Sequence, residues 1–258
     1  MNQKLARWLV RPRVLAFRRR FARQLAFVQA RLSPQGYLGL QLTVGAAVLV
    51  GAGWLFGGVA EDVVTGDALT LVDVHIAQWL HAHAIPSLTR FMLLVSRLHD
   101  PIHLGAAAFV LGLVLFCKRQ WQWLLIVVLC VPGGMLVNTL MKLAFQRARP
   151  SFDDPIVILA TYSFPSGHVA GATLFYGVMA TMLITGAAAR GTRMAIAMVA
   201  MAAIALVAVS RMYLGAHFLS DIIAGFAEAV AWLTLCVVGT RTYFQHRAQG
   251  RRRTHPPA

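Results

Sequence analysis

The stretch FPSGHVAGATLFYGVMATMLITG, residues 164–186, opens on a proline, a serine, a glycine and a histidine and then runs on with little polar interruption. A run of that kind is long enough to cross a bilayer as an α-helix, which takes about 20 apolar residues. Similar runs recur along the chain, and the expected spans are 38–60, 101–117, 121–143, 168–189, 193–210 and 220–240. The second is the shortest, with Asp100, Pro101 and His103 crowded at its start. Composition agrees with this reading. Of 258 residues, 58% are hydrophobic and 13% charged, and the mean hydropathy is +0.65, values that belong to integral membrane proteins. The sequence predicts an all-α polytopic protein whose six-helix transmembrane bundle occupies 37–240, between a basic segment 1–36 and a basic tail 241–258.

A net charge of +15 would suggest nucleic acid in a soluble protein. Here the charges are sorted by loop, which points to the bilayer as the partner and away from nucleic acid. Lys4, Arg7, Arg11, Arg13, Arg18, Arg19, Arg20, Arg23 and Arg31 precede the first span; Lys118 and Arg119 follow the second, Arg190 and Arg193 the fourth, and five arginines the sixth, with no acid among them. Glu61, Asp62, Asp67, Asp73, Asp100, Asp153 and Asp154 occupy the alternate loops. By the positive-inside rule both termini are cytoplasmic and the acidic loops face outward, as expected in a bacterial inner membrane.

Val10, Val14, Phe17, Phe21, Leu25, Val28 and Leu32 recur at helical spacing among the arginines, a pattern suited to a helix on an anionic inner leaflet. The Arg-Arg-Arg-Phe run there lacks the apolar region and cleavage site of a twin-arginine signal. The segment 61–100 is amphipathic, breaks at Pro86, and is expected along the outer interface. Its histidines, His75, His81, His83 and His99, with His103 just beyond, lack a recognised metal spacing and read as interfacial. Cys117, Cys130 and Cys236 lie in or beside apolar runs and read as small core residues.

Three segments are explained by neither insertion nor topology, and all fall at outward span ends. The first is KLAFQRARP, with Lys142 and Arg149 before Pro150; the second is PSGH; the third is SRMYLGAHFLSD, with Ser210, Arg211, His217 and Asp221. Lys142, Arg149 and Arg211 supply fixed positive charge, and guanidinium forks match tetrahedral oxyanions. Pro165 sets a turn at which Ser166 and Gly167 open a helix, whose first N–H groups favour an anion. His217 and Asp221, four residues apart, share a helical face, so the carboxylate can hold one ring nitrogen and leave the other as a lone pair. His168 is then available as an acid. Taken singly, Lys142, Arg147 and Arg149 could be snorkelling anchors, and Arg211 a mere partner of Asp221. Their joint occurrence points to one anion site.

The series K-x6-RP, PSGH and SR-x5-H-x3-D resembles the three-part signature of the type 2 phosphatidic acid phosphatase family, which includes the vanadium haloperoxidases. Lys142, Arg149, Pro150, Pro165, Ser166, Gly167, His168, Ser210, Arg211, His217 and Asp221 fill its positions. The resemblance implies a metal-free phosphatase with no cofactor and an extracytoplasmic active site. It implies that His217 attacks phosphorus to form a phosphohistidine, Asp221 holds its ring, and His168 serves as acid and then base. Lys142, Arg149, Ser166, Gly167 and Arg211 would bind the phosphate. A site at headgroup depth favours a lipid phosphate, with undecaprenyl diphosphate expected first and phosphatidylglycerol phosphate or phosphatidate as alternatives. A lipid phosphotransferase is the enzymatic rival, and a lipid transporter or assembly subunit the non-enzymatic one. A haloperoxidase is disfavoured by the membrane spans.

Overall fold

The structure of the chain is a computed structural model that describes Phe21 and residues 39–254. The expected amphipathic segment between Val10 and Leu32 and the end of the basic tail lie outside the described residues. The chain divides into two compact units, Met1–Ala47 and Val48–Ala258. Among the described residues there are eight helices and no strand: α1 (Leu40–Thr65), α2 (Ala68–Ala82), α3 (Pro86–Leu98), α4 (Pro101–Cys117), α5 (Trp121–Phe145), α6 (Gly167–Gly186), α7 (Arg190–Tyr213) and α8 (Leu219–Thr254).

Five of these, α1, α5, α6, α7 and α8, are long and apolar enough to cross a membrane. The second expected span differs. At about 1.5 Å per residue, the 17 residues of α4 fall short of a hydrocarbon core of about 30 Å. Helix α4 reaches span length only together with α3, across a 45° bend. Chemistry places that bend: Asp100 caps α4 by accepting from the Ile102 N–H at 3.0 Å, and Pro101 occupies the first turn. Helix α8 does not stop at the expected span end but runs on through the start of the basic tail to Thr254.

The core is built where α5, α6 and α8 meet, around Ile126, Cys130, Leu174, Val178 and Ala229. Cys130 and Cys236 are free and buried in this cluster, and Cys117 is free and exposed. A second cluster, with Val95, Leu104, Val169, Val207 and Ile222, adds α3 and α7 and takes in the start of α4, whose Ala108 and Leu115 belong to the first. Many large apolar side chains remain exposed, among them Phe109, Val199 and Leu235, as expected of surfaces that face lipid. Helix α5 ends at Gln146, in the left-handed region with φ 47°, and its N–H returns to the Lys142 carbonyl at 3.0 Å. The end of α5, the starts of α6 and α8, and the end of α7 meet at one end of the bundle.

Candidate active site

At that end α6 docks onto α8. The Ser166 N–H donates to the Asp221 carbonyl at 2.9 Å, and a Cβ added at Gly225 would lie 2.6 Å from the Ser166 carbonyl oxygen. Only glycine permits that approach. Ser166 is the N-cap residue of α6, yet its side chain makes no capping bond. Its hydroxyl is buried without a partner among the described residues, although buried hydroxyls are nearly always paired.

His217 sits between α7 and α8, with its side chain 2% exposed. Its Nδ1 faces Asp221 Oδ2 at 3.3 Å, and its Nε2 faces Arg149 Nη1 at 3.3 Å. With Nδ1 as the donor to the carboxylate, the Nε2 lone pair points at a guanidinium, the direction from which an anion would come. Burial pushes the imidazole down to about 3, against the opposing pull of Asp221, so the ring is neutral near pH 7.

The cations are held firmly. Arg149 donates to the Thr161 carbonyl at 2.6 Å, the Thr161 hydroxyl at 2.9 Å, the Tyr162 carbonyl at 3.1 Å and the Ala216 carbonyl at 2.6 Å. Lys142 Nζ donates to the carbonyls of Tyr162 at 2.8 Å and Ser163 at 3.2 Å. Segment 161–163 thus serves as a rail that fixes both. Arg211 is 3% exposed; its Nη1 donates to the Ser96 hydroxyl of α3, while Nε and Nη2 are buried without partners among the described residues. It lies within electrostatic reach of Arg149, Lys142 and His168. His168 Nε2 is 3.9 Å from Asp100 Oδ2 and within electrostatic reach of His217. Gly167 lies against Asn138: a Cβ there would meet Asn138 Oδ1 at 3.1 Å.

The structure therefore places Lys142, Arg149, Ser166, Gly167, His168, Arg211, His217 and Asp221 around one cup. It also shows partners that the sequence did not reveal. Asp221, fully buried, pairs with Arg147 at 2.7 Å rather than with Arg211. Arg147 is no snorkelling anchor: it bridges Asp221 and Asp73, the latter at 2.9 Å. Asp73, read as an outer-loop acid, is 1% exposed. Ser163 donates from its hydroxyl to Asp221 Oδ2. One signal for Asp73 was on view, a lone acid inside the apolar run LTLVDVHIAQWL. The histidines have separate surroundings: His83 stacks on Trp79, His81 stacks on Phe152 and contacts Asp154 at 2.9 Å, and His99 contacts the Tyr176 hydroxyl at 2.7 Å.

Comparison with known proteins bears on this arrangement. The family model of the PAP2 superfamily matches residues 121–244, which include every signature position. Phosphatidylglycerophosphatase B of Bacillus subtilis (strain 168) is 35% identical over 133 residues, 48% of this chain and 64% of that protein. The chain thus spans less than two thirds of the length of this curated relative. The crystal structure of a transmembrane PAP2 type phosphatidylglycerolphosphate phosphatase from Bacillus subtilis superposes with a TM-score of 0.67 at 27% identity, covering 77% of this chain and 96% of that one. LpxE of Aquifex aeolicus shares the fold, with a TM-score of 0.51 at 20% identity over 67% of this chain and 96% of its own.

Proposed function

We propose that the chain belongs to the PAP2 superfamily, whose family model matches residues 121–244, and that it is a membrane lipid phosphatase acting through a phosphohistidine on His217. The observation that carries the reading is that three of the buried polar atoms without a partner among the described residues, Ser166 Oγ and Arg211 Nε and Nη2, belong to the cup. Orphaned buried donors are costly, and a tetrahedral oxyanion would satisfy all of them. In the proposed reaction His217 Nε2 forms a bond to phosphorus as the bond to the leaving oxygen breaks, and Nδ1–H is held by Asp221. His168 gives its proton to that oxygen, then takes one from the water that attacks phosphorus and releases phosphate from Nε2. Asp100, 3.9 Å away, is placed to support the protonated His168. Lys142, Arg149 and Arg211 stabilise the equatorial oxygens without a metal, because phosphoryl transfer chiefly demands positioning and charge.

A lipid substrate is supported by an apolar cavity of about 720 Å³ between α4 and α5. Its wall includes Gly105, Ala108 and Phe109 and reaches Met135 and Gly171, one turn below Gly167. The names of the Bacillus relatives put phosphatidylglycerol phosphate first among substrates, with undecaprenyl diphosphate as its comparator. The positive-inside rule puts the cup on the extracytoplasmic side. Arg241, at the opposite end of the bundle, lies 5.4 Å from the Trp123 ring and donates to Thr185 at 2.7 Å, an aromatic and basic belt suited to the inner interface.

The test is phosphate release by the purified protein in detergent with a chelator present. Phosphatidylglycerol phosphate is expected to be the faster of the two lipids, and His217→Ala to lose more than about a thousandfold in kcat. Chelator-sensitive turnover, or a phosphorylated acceptor in place of free phosphate, would contradict the reading.

A further inference from the structure

We propose that Asp73 and Arg147 are positioning residues: together they clamp the Asp221 carboxylate in the rotation that presents Oδ2 to His217 Nδ1. The proposal rests on the phosphatase reading for its kinetic consequence, while its geometric consequence stands apart from it.

The two oxygens of Asp221 have different duties. Oδ2 accepts from the Ser163 hydroxyl and from the Phe218 N–H at 2.9 Å, and faces His217. Oδ1 accepts from Arg147 Nη1 at 2.7 Å. A carboxylate torsion is soft, so the Arg147 contact on the far oxygen, together with the Ser163 and Phe218 donors on the near one, fixes the angle at which the carboxylate faces the histidine. Arg147 is itself bolted in place. Nη2 donates to Asp73 Oδ2 at 2.9 Å, Nη1 also donates to Ser220 Oγ at 2.6 Å, and the guanidinium lies 4.5 Å from the Phe218 ring centroid. Asp73 accepts from the Ser220 N–H at 2.9 Å and from the Ser220 hydroxyl. Because Ser220 and Asp221 are chain neighbours, the circuit closes on the start of α8 and ties it to α2.

His217 and Arg147 contact Asp221 directly, with Lys142 and Arg149 at longer range. One cation between two carboxylates leaves the trio net negative. Asp221 therefore keeps charge to set against the imidazolium that develops as Nε2 bonds phosphorus. A lone Arg147–Asp221 pair would be neutral and would stabilise that charge less. Buried ion pairs contribute little net stability, so a role in geometry is the better account of this one.

The experiment uses full-length protein in detergent, comparing wild type, Asp73→Asn, Arg147→Lys, Ser220→Ala and His217→Ala. Two quantities are read. One is kcat and KM for phosphatidylglycerol phosphate; the other is the His217 Nδ1–H resonance in protein labelled with 15N-histidine, assigned by its absence in His217→Ala. Asp73→Asn and Arg147→Lys are expected to lower kcat on the order of 10–100-fold, as when outer partners of a ligating histidine are removed. KM should stay within about twofold, the sign of an interaction made in the transition state, and the resonance should shift. Wild-type kcat with an unmoved resonance in Asp73→Asn, or a loss that falls on KM alone, overturns the clamp. An inactive wild type whose His217 resonance still responds to Asp73→Asn supports the clamp and removes the phosphatase reading instead. If Arg147→Lys does not fold, the near-isosteric Asp73→Asn and Ser220→Ala carry the decision.

Discussion

Burial pushes the His217 imidazole down to about 3, and the Asp221 carboxylate beside it does not offset that push. The neutral ring is what a nucleophile needs, since only the unprotonated Nε2 has a lone pair to offer phosphorus. The unfolded chain binds a proton at His217 below its ordinary value of 6.5 that the folded chain refuses down to about 3. The stability associated with the buried neutral ring is therefore complete above pH 6.5 and declines as pH falls toward 3. Thermal unfolding in detergent at pH 7 and pH 5 is expected to show a lower melting temperature at pH 5, and His217→Asn to flatten that dependence. The acid limb of kcat/KM, which reports the free enzyme, should correspondingly lie below pH 6.5. An acid limb at 6.5 or above would mean that the ring is hydrated. At this scale the residues that the structure brings together were legible in the sequence, in Lys142, Arg149, PSGH, Arg211, His217 and Asp221. The residues that hold them were not. Ser96 and Ser163 are common polar residues with no signature, Asp73 gives only the signal of a lone acid in an apolar run, and burial separates all three from a solvated face.

The meeting of α6 with α8 shows how elements hold the cup. A Cβ on Gly225 would meet the Ser166 carbonyl oxygen at 2.6 Å and its nitrogen at 3.1 Å, and both are backbone atoms that cannot swing aside. Gly225→Ala is therefore expected to cost about 1–3 kcal/mol of stability and to lower kcat by displacing Ser166. Gly177→Ala is the contrasting case. A Cβ there would meet Leu233 Cδ2, the far end of a flexible side chain, so a smaller loss with kcat retained is expected. Thermal unfolding and turnover of the two variants check this. Equal penalties would show that the α6–α8 contact does not set the site. The spans of this pair were legible from hydropathy, but their closeness was not, because a helical glycine in an apolar run looks the same whether it faces lipid or backbone. The same ambiguity hid the α3–α4 bend. Met92, Val95 and Ser96 are buried on a helix whose polar residues suggested an interfacial segment.

Across the whole bundle, the proposed function gives the cup and the apolar cavity separate duties, with a phosphate to be recognised by charge and a lipid tail by volume. Gly105 on α4 lines the cavity, and a Cβ there would meet nothing within 4 Å. Gly105→Leu therefore enters the cavity from a position with open space around its Cβ and lies outside the cationic cup. If lipid tails occupy this space, the variant should raise KM for long-chain phosphatidylglycerol phosphate by about tenfold or more, the equivalent of about 1.4 kcal/mol of uniform binding. Hydrolysis of a short-chain, water-soluble phosphate ester should be unchanged, because it needs the cup alone. Parallel assays of the two substrates separate the outcomes. A loss shared by both would mean that α4 transmits its change to the site through Leu104 and Gly171, which come within 3.2 Å if a Cβ is added at Gly171. No loss for either would place the tail elsewhere, with the cavity between α1, α5 and α8, about 260 Å³ and lined by Phe56 and Trp232, next in line.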